Sequence, residues 1–216
     1  MHIKKQLYVW VLLGLALLWS SALAQPQISG PQSGTLGPGT YLVVGDIRVA
    51  TGTTLTVVPG TTFLHNGHWY WWIAGQLNAE GTASDSIKFI RQQEIPDHRW
   101  GGIRFMSGAS AASTLEYCVL DNAVISSGTP SSYKGGGIFS DGVGLSISHT
   151  RISNCDAYWG GGGMYIQNAP DLIVEHCLIV DNEATLGANG GGIYLYGCAQ
   201  AAISYNVIAR NSATGT

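Results

Sequence analysis

The chain has 216 residues, of which 45% are hydrophobic and only 11% charged, with 30 glycines and a formal net charge of −3. Such low charge excludes charge-driven disorder, and scarce Glu, Lys and Arg beside abundant Gly exclude long helices and coiled coils. No Lys/Arg cluster is present to neutralise phosphates, so no nucleic acid is expected as a partner; what remains is an all-β chain of many short strands and turns.

Residues 1–24 read as an export signal. Lys4 and Lys5 are followed by an apolar run from Leu7 to Trp19, and Ala22-Leu23-Ala24 supplies the small residues of a cleavage site before Gln25. A membrane anchor is the alternative, but the run is short for a span of about 20 residues. Nothing later is long and apolar enough to cross a bilayer, so no stable span is expected after signal removal. Losing Lys4 and Lys5 takes the formal charge from −3 to −5. The expected localisation is secreted or cell-surface. Residues 25–39, rich in Gly, Pro, Ser and Gln, read as a flexible lead-in.

From residue 40 onward, short strands alternate with turns. Asp46-Ile47-Arg48-Val49 and Leu55-Thr56-Val57-Val58 are followed by Ile73 to Ala79 and by Ile87-Lys88-Phe89-Ile90. The segment His65-Asn66-Gly67-His68-Trp69-Tyr70-Trp71-Trp72 lies between them. Alternation places Trp69 and Trp71 inside and Tyr70 and Trp72 outside. The cluster reads as packing near the N-terminal end. His65 and His68 have no evident carboxylate partner for a metal.

A repeat then takes over. Trp100-Gly101-Gly102-Ile103 recurs as Gly135-Gly136-Gly137-Ile138, Gly161-Gly162-Gly163-Met164 and Gly190-Gly191-Gly192-Ile193, at steps of 35, 26 and 29. A second strand begins near Leu115, Ile147, Val174 and Ile203, at steps of 32, 27 and 29. Asn182 and Asn211 close the later units as turns, with Cys155 in the same column of the unit before. A single unit cannot bury its apolar face, whereas stacked units can, with a rise of about 4.8 Å per coil. Cys118 and Cys177 fall in one column two coils apart, roughly 9.6 Å, beyond disulfide reach. Cys155 and Cys198 lie in different columns, so the four cysteines read as free, buried thiols. The chain stops after an Asn turn with no polar cap, which predicts an incomplete solenoid or a covered end.

With its Gly-Gly-Gly-Ile starts, the Val174-x-x-Cys177-x-Ile179 pattern and the Ile179-to-Asn182 and Ile208-to-Asn211 turns, the sequence resembles the right-handed parallel β-helix of the pectin-lyase-like group. That resemblance implies an all-β, right-handed parallel β-helix over residues 40–216. It implies no single activity, because this fold hosts several. Its lyases use clustered carboxylates for calcium with an Arg or Lys base, and its glycosidases use closely spaced aspartates. Here the carboxylates fall about one per coil, so no catalytic motif carries over and no cofactor is expected, calcium being implied only for a lyase. Arg104 with Asp141, or Lys134 with Asp156, is the base-plus-acid alternative. The glycine and asparagine signatures are also similar to adhesin repeats of outer-membrane proteins, with Ile in place of Phe.

On a stacked solenoid, the residue after each inward Ile or Met faces out. This gives the column Arg104, Phe139, Tyr165, Tyr194, and two residues on the column Met106, Asp141, Gln167, Tyr196. Arg99 with Trp100, Tyr133 with Lys134, and Tyr158 with Trp159 add a rim. Such a stripe fits extracellular polysaccharide or a cell-surface glycan, through flat rings with polar edges; the alternative is that the stacked rings only stabilise the ladder. His149 and His176 share a turn column with Tyr117 and Tyr205 and read as a stacking ladder.

Overall fold

The computed structural model describes residues 25–125, 133–186 and 189–214, so the segment read from sequence as an export signal lies outside the described residues. Every strand pairing among them is parallel, and each strand pairs with its equivalent one coil away. The chain therefore winds as a β-helix. One face carries Trp71–Ile73, Ile103–Phe105, Ile138–Asp141, Met164–Gln167 and Ile193–Tyr196. A second is the 7-stranded sheet from Gly34–Leu36 to Ala202–Ser204, and a third runs from Thr61–His65 to Val207–Ala209. A narrow fourth face of two-residue strands, such as Asp156–Ala157 and Glu183–Ala184, closes each later coil. The continuous strand Gly39–Val49 joins the first and third faces, pairing with Thr61–His65 through one half and Trp71–Ile73 through the other.

The hydrophobic pattern explains the winding. Ile47, Trp71, Ile103, Ile138, Met164 and Ile193 are Cα partners in succession on the first face. Val57, Ala79, Leu115, Ile147, Val174 and Ile203 repeat this on the second, and Phe63, Phe89, Leu120, Ile152, Ile179 and Ile208 on the third. Interior members of these columns are fully buried, and each large aliphatic side chain so buried contributes roughly 1.5–3 kcal/mol. At the last described coil the columns reach solvent, with Ile203 38% and Ile208 49% exposed.

Single left-handed residues make two of the corners. Tyr117, His149, His176 and Tyr205, with φ between 45° and 56°, turn the chain from the second face to the third. Their rings stack at centroid separations of 4.5, 5.0 and 5.0 Å, so this column is the ring ladder its spacing suggested. Asn122, Asn154, Asp181 and Arg210 make the next corner. Asn182 and Asn211 are thus not the turn residues themselves but follow them, facing inward. Asn182 Oδ1 accepts from Cys155 N at 3.0 Å, and Asn211 Oδ1 accepts from Asn182 N at 3.0 Å. Each Nδ2 donates back to a carbonyl, of Ile152 and Ile179. This amide ladder satisfies backbone groups where the turn interrupts the strand bonds.

The glycine starts work by close approach. Gly161 has φ +61°, and a Cβ on Gly162 would lie 2.4 Å from Gly191 O and 2.3 Å from Glu183 O. Residues 25–39 are not a loose lead-in. Gln27–Pro31 and Gly34–Leu36 are strands paired with Gly39–Val49 and Thr54–Val57, and they form the first coil. Their polar, glycine-rich composition hides this because the pairing is carried by backbone, and Gly30 and Gly34 adopt positive φ where the path bends. All four cysteines are free, with Cys118, Cys155 and Cys177 buried and Cys198 half-buried. Burial pushes the Cys118 and Cys177 thiols up, and that of Cys155 to about 12.

Candidate functional site

On the outer side of the first face, the Cα register aligns Arg48, Trp72, Arg104, Phe139, Tyr165 and Tyr194 in one column. Asp141, Gln167 and Tyr196 align in the next. Outward direction does not mean exposure here. Phe139 is 8% and Tyr165 4% exposed, and Arg104 is fully buried. The rings cover one another: Phe139 stacks on Tyr165 at 6.1 Å and Tyr165 on Tyr194 at 4.7 Å, with planes within 25°. A free aromatic platform therefore does not exist along this column, because the ring faces that would meet a sugar meet the neighbouring coil instead. Tyr194 is half-buried and Tyr196 exposed.

Arg104 is covered by the glycine turn of the next coil. Its Nη1 donates to the carbonyls of Lys134 and Gly135, and its Cζ lies 5.8 Å from the Phe139 centroid. Gly135 takes φ +65°, which folds its carbonyl down onto the guanidinium. Burial lowers the Arg104 pKa to about 9, still charged at neutral pH. Nε and Nη2 of Arg104 are buried without a hydrogen-bond partner among the described residues. Lys134 extends over Tyr165, with Nζ 4.5 Å from the ring centroid and 3.4 Å from Gln167 Oε1.

Beside these groups lies a cavity of about 200 Å³. Arg104, Lys134, Phe139, Asp141 and Gln167 line it, together with Trp72, Met106 and Ser107. Six of the fourteen stripe and rim residues expected from the sequence, Met106 among them, are thus brought together. Asp141 is the one carboxylate in the wall, and its Oδ1 accepts from Asn168 Nδ2 at 3.2 Å. Trp72, outward by alternation, belongs to this wall rather than to packing at the N-terminal end. Its alternation and its register with Arg104 are the sequence signals for this place, and the long segment between Ile73 and Ile103 obscures them. Asp46 fixes the Trp72 ring by accepting from Nε1 at 3.1 Å, and Tyr70 stacks on it at 5.1 Å.

The other residues fall elsewhere. Trp100 is core, not rim: it is fully buried, stacks on His65 at 4.5 Å and donates from Nε1 to Asp121 O at 2.9 Å. It bridges to Ala123 of the narrow face, so its side chain turns inward at the corner before the glycines. Tyr133 packs on Tyr158 at 5.5 Å, and Trp159 is 44% exposed, both outside the cavity wall. Arg99 ion-pairs with Asp156, which occupies that carboxylate, so Lys134 and Asp156 do not form the acid–base pair considered from sequence. His65 is a core residue, its Nδ1 bonded to Ile90 O at 2.9 Å and its Nε2 accepting from Trp71 Nε1 at 3.0 Å. His68 bonds Tyr70 Oη and Arg99 O.

Among the described residues, no group of three or more His, Cys, Asp or Glu side chains could hold a metal ion, and no helix is long and apolar enough to cross a membrane. The wall therefore offers two cations, one carboxylate, one amide and two aromatic rings. That combination can orient a polar ligand and pack against its apolar side. Inverting or retaining hydrolysis uses a pair of carboxylates; among the described residues the wall contributes Asp141. Residues 81–216 match the family described as Right handed beta helix region. No curated protein and no solved structure matches the chain.

Proposed function

We propose a carbohydrate-binding role for this chain, which belongs to the right-handed β-helix family and is a pectin-lyase-like β-helix protein. The module is exported by residues 1–24 and holds extracellular polysaccharide or a cell-surface glycan against its first face. The observation that carries this reading is the cavity on the outer side of that face, where Trp72 and Phe139 meet Arg104, Lys134, Asp141 and Gln167. Apolar rings beside convergent polar groups suit a sugar's two surfaces. An extended solenoid face suits an extended polymer, and the exposed Tyr196, next in register to Gln167, continues the track by one coil.

Affinity electrophoresis or calorimetry against a panel of soluble glycans tests the proposal. Trp72→Ala and Gln167→Ala should each weaken binding about tenfold, equivalent to about 1.4 kcal/mol, while leaving the circular dichroism spectrum unchanged. Tyr196→Ala should weaken binding to long but not short oligosaccharides. If no glycan binds, or if Trp72→Ala binds as the parent does, the reading fails. Release of unsaturated or reducing ends during the same incubations would replace it with a lyase or hydrolase activity, to be traced through Lys134→Ala and Arg104→Ala.

A further inference from the structure

We propose that Asp46 is the positioning residue of the glycan site: without touching the sugar, it holds Trp72 in the orientation that meets it, and so sets how tightly the sugar is bound. The inference rests on the carbohydrate-binding reading and adds the residue that controls the affinity of that site. Its source is the way the indole is fastened.

Trp72 differs from the other rings of its column. Phe139, Tyr165 and Tyr194 stack on one another from coil to coil, whereas the register neighbours of Trp72 are Arg48 and Arg104. No ring of this column covers it among the described residues, and it stays half-buried in the cavity wall. Its stacking partner is Tyr70, two residues earlier, at 5.1 Å with planes 25° apart. Tyr70 is itself fixed. Arg99 O can only accept, so His68 Nδ1 carries the proton of that ring, and Nε2 accepts from Tyr70 Oη at 2.8 Å. The Tyr70 ring also lies so close to Gly101 that a Cβ there would be 2.4 Å from Cδ1.

Asp46 lies outside the cavity wall and makes two bonds that fasten the indole. Oδ2 accepts from Trp72 Nε1 at 3.1 Å, and Oδ1 accepts from the Tyr70 backbone amide at 3.0 Å. One carboxylate thus ties the edge of the ring to the backbone two residues before it, which restrains both torsions of the Trp72 side chain. Two N–H donors need two acceptor oxygens, which a carboxylate has and an amide side chain lacks. Arg48 Nη2 reaches the same Oδ2 at 3.3 Å, but the Arg48 side chain is 59% exposed, and such a pair contributes little. An indole free to rotate would have to be ordered as the sugar binds, whereas this one is ordered beforehand.

The test compares the intact protein with Asp46→Asn, Asp46→Ala, Trp72→Ala and the double variant Asp46→Asn with Trp72→Ala, each checked for folding by circular dichroism. The probes are the soluble glycans of the panel above, with cellohexaose, xylohexaose, chitohexaose and hexagalacturonate among them, measured by calorimetry. For each glycan that binds the parent, Asp46→Asn should weaken binding about threefold and Asp46→Ala about tenfold, the range for ordering one side chain on binding. In the Trp72→Ala background Asp46→Asn should cost nothing further, because Asp46 acts through that ring alone. Nitrogen–proton NMR adds a readout that general destabilisation does not move. The indole signal that disappears in Trp72→Ala should shift upfield and exchange faster with water in Asp46→Asn, while the other indole signals stay in place. Asp46→Asn keeps the volume and one acceptor, so the test stays decisive if Asp46→Ala does not fold. Parent-like affinity in Asp46→Asn beside a weakened Trp72→Ala would overturn the positioning role and leave the binding module standing. Equal losses from Asp46→Asn in both backgrounds would do the same. If no glycan of the panel binds the parent, the carbohydrate reading falls and this inference falls with it.

Discussion

Replacing Asn182 by alanine removes a fully internal amide from the column that stitches three coils together. Its Oδ1 accepts from Cys155 N, and its Nδ2 donates to Ile152 O at 3.0 Å and to Asn211 Oδ1 at 2.9 Å. Asn182 is 1% exposed, so water cannot replace these partners. The substitution leaves the Cys155 amide and one lone pair of the Ile152 carbonyl without their partner in the core, each costing about 1–3 kcal/mol. The amide of residue 182 keeps its bond to Asn211 Oδ1, so that oxygen loses its second donor, Asn182 Nδ2, but stays paired. The expected destabilisation is about 3 kcal/mol. Equilibrium urea denaturation followed by far-ultraviolet circular dichroism reads it directly. Asn182→Cys, which copies the residue found at this position one coil earlier, should be milder because it restores part of the volume. A loss below about 0.5 kcal/mol for Asn182→Ala would show that these backbone groups are satisfied in some other way, and the ladder would then be incidental.

Gly162→Ala should destabilise by about 1–3 kcal/mol, because its Cβ would sit within 2.4 Å of backbone oxygens on two segments; a neutral effect in the same assay would refute the close-approach account. His65 supplies a pH dependence. Burial lowers its pKa from 6.5 to about 3, so the unfolded chain binds the proton first. Stability from this group is full above pH 6.5 and falls as the pH drops towards 3, by about 2 kcal/mol between pH 6.5 and pH 5. His68 is shifted in the same direction. Melting temperatures across that range should therefore fall, and His65→Gln should flatten the dependence; a profile identical to the parent would refute the assignment. Titration with a thiol reagent in denaturant without reductant should count all four cysteines, while Cys118, Cys155 and Cys177 should stay unreactive in the folded protein. Fewer than four in denaturant would mean a disulfide.

Local patterns carried the fold. Glycine triplets followed by Ile or Met, at intervals set by one coil, fixed which residues stack, because a parallel β-helix places equivalent residues about 4.8 Å apart. The inward columns, the ring ladder at Tyr117, His149, His176 and Tyr205, and the separation of Cys118 from Cys177 all follow from that register. Polar composition misled at Gln27–Pro31 and Gly34–Leu36, since an edge coil is held by backbone bonds that composition does not report.

Alternation says which side of a sheet a residue leaves from, and for Arg104, Phe139, Asp141, Tyr165 and Gln167 it said so correctly. It cannot say what then covers that residue. The Lys134–Gly135 turn closes over Arg104, stacked rings hide one another's faces, and Trp100 swings inward at a corner. Those outcomes depend on contacts between segments some 30 residues apart in the chain. Strand direction was therefore a property of the sequence, whereas the cavity, its unpaired guanidinium nitrogens and the identity of Trp72 as a wall were decided only when the coils stacked.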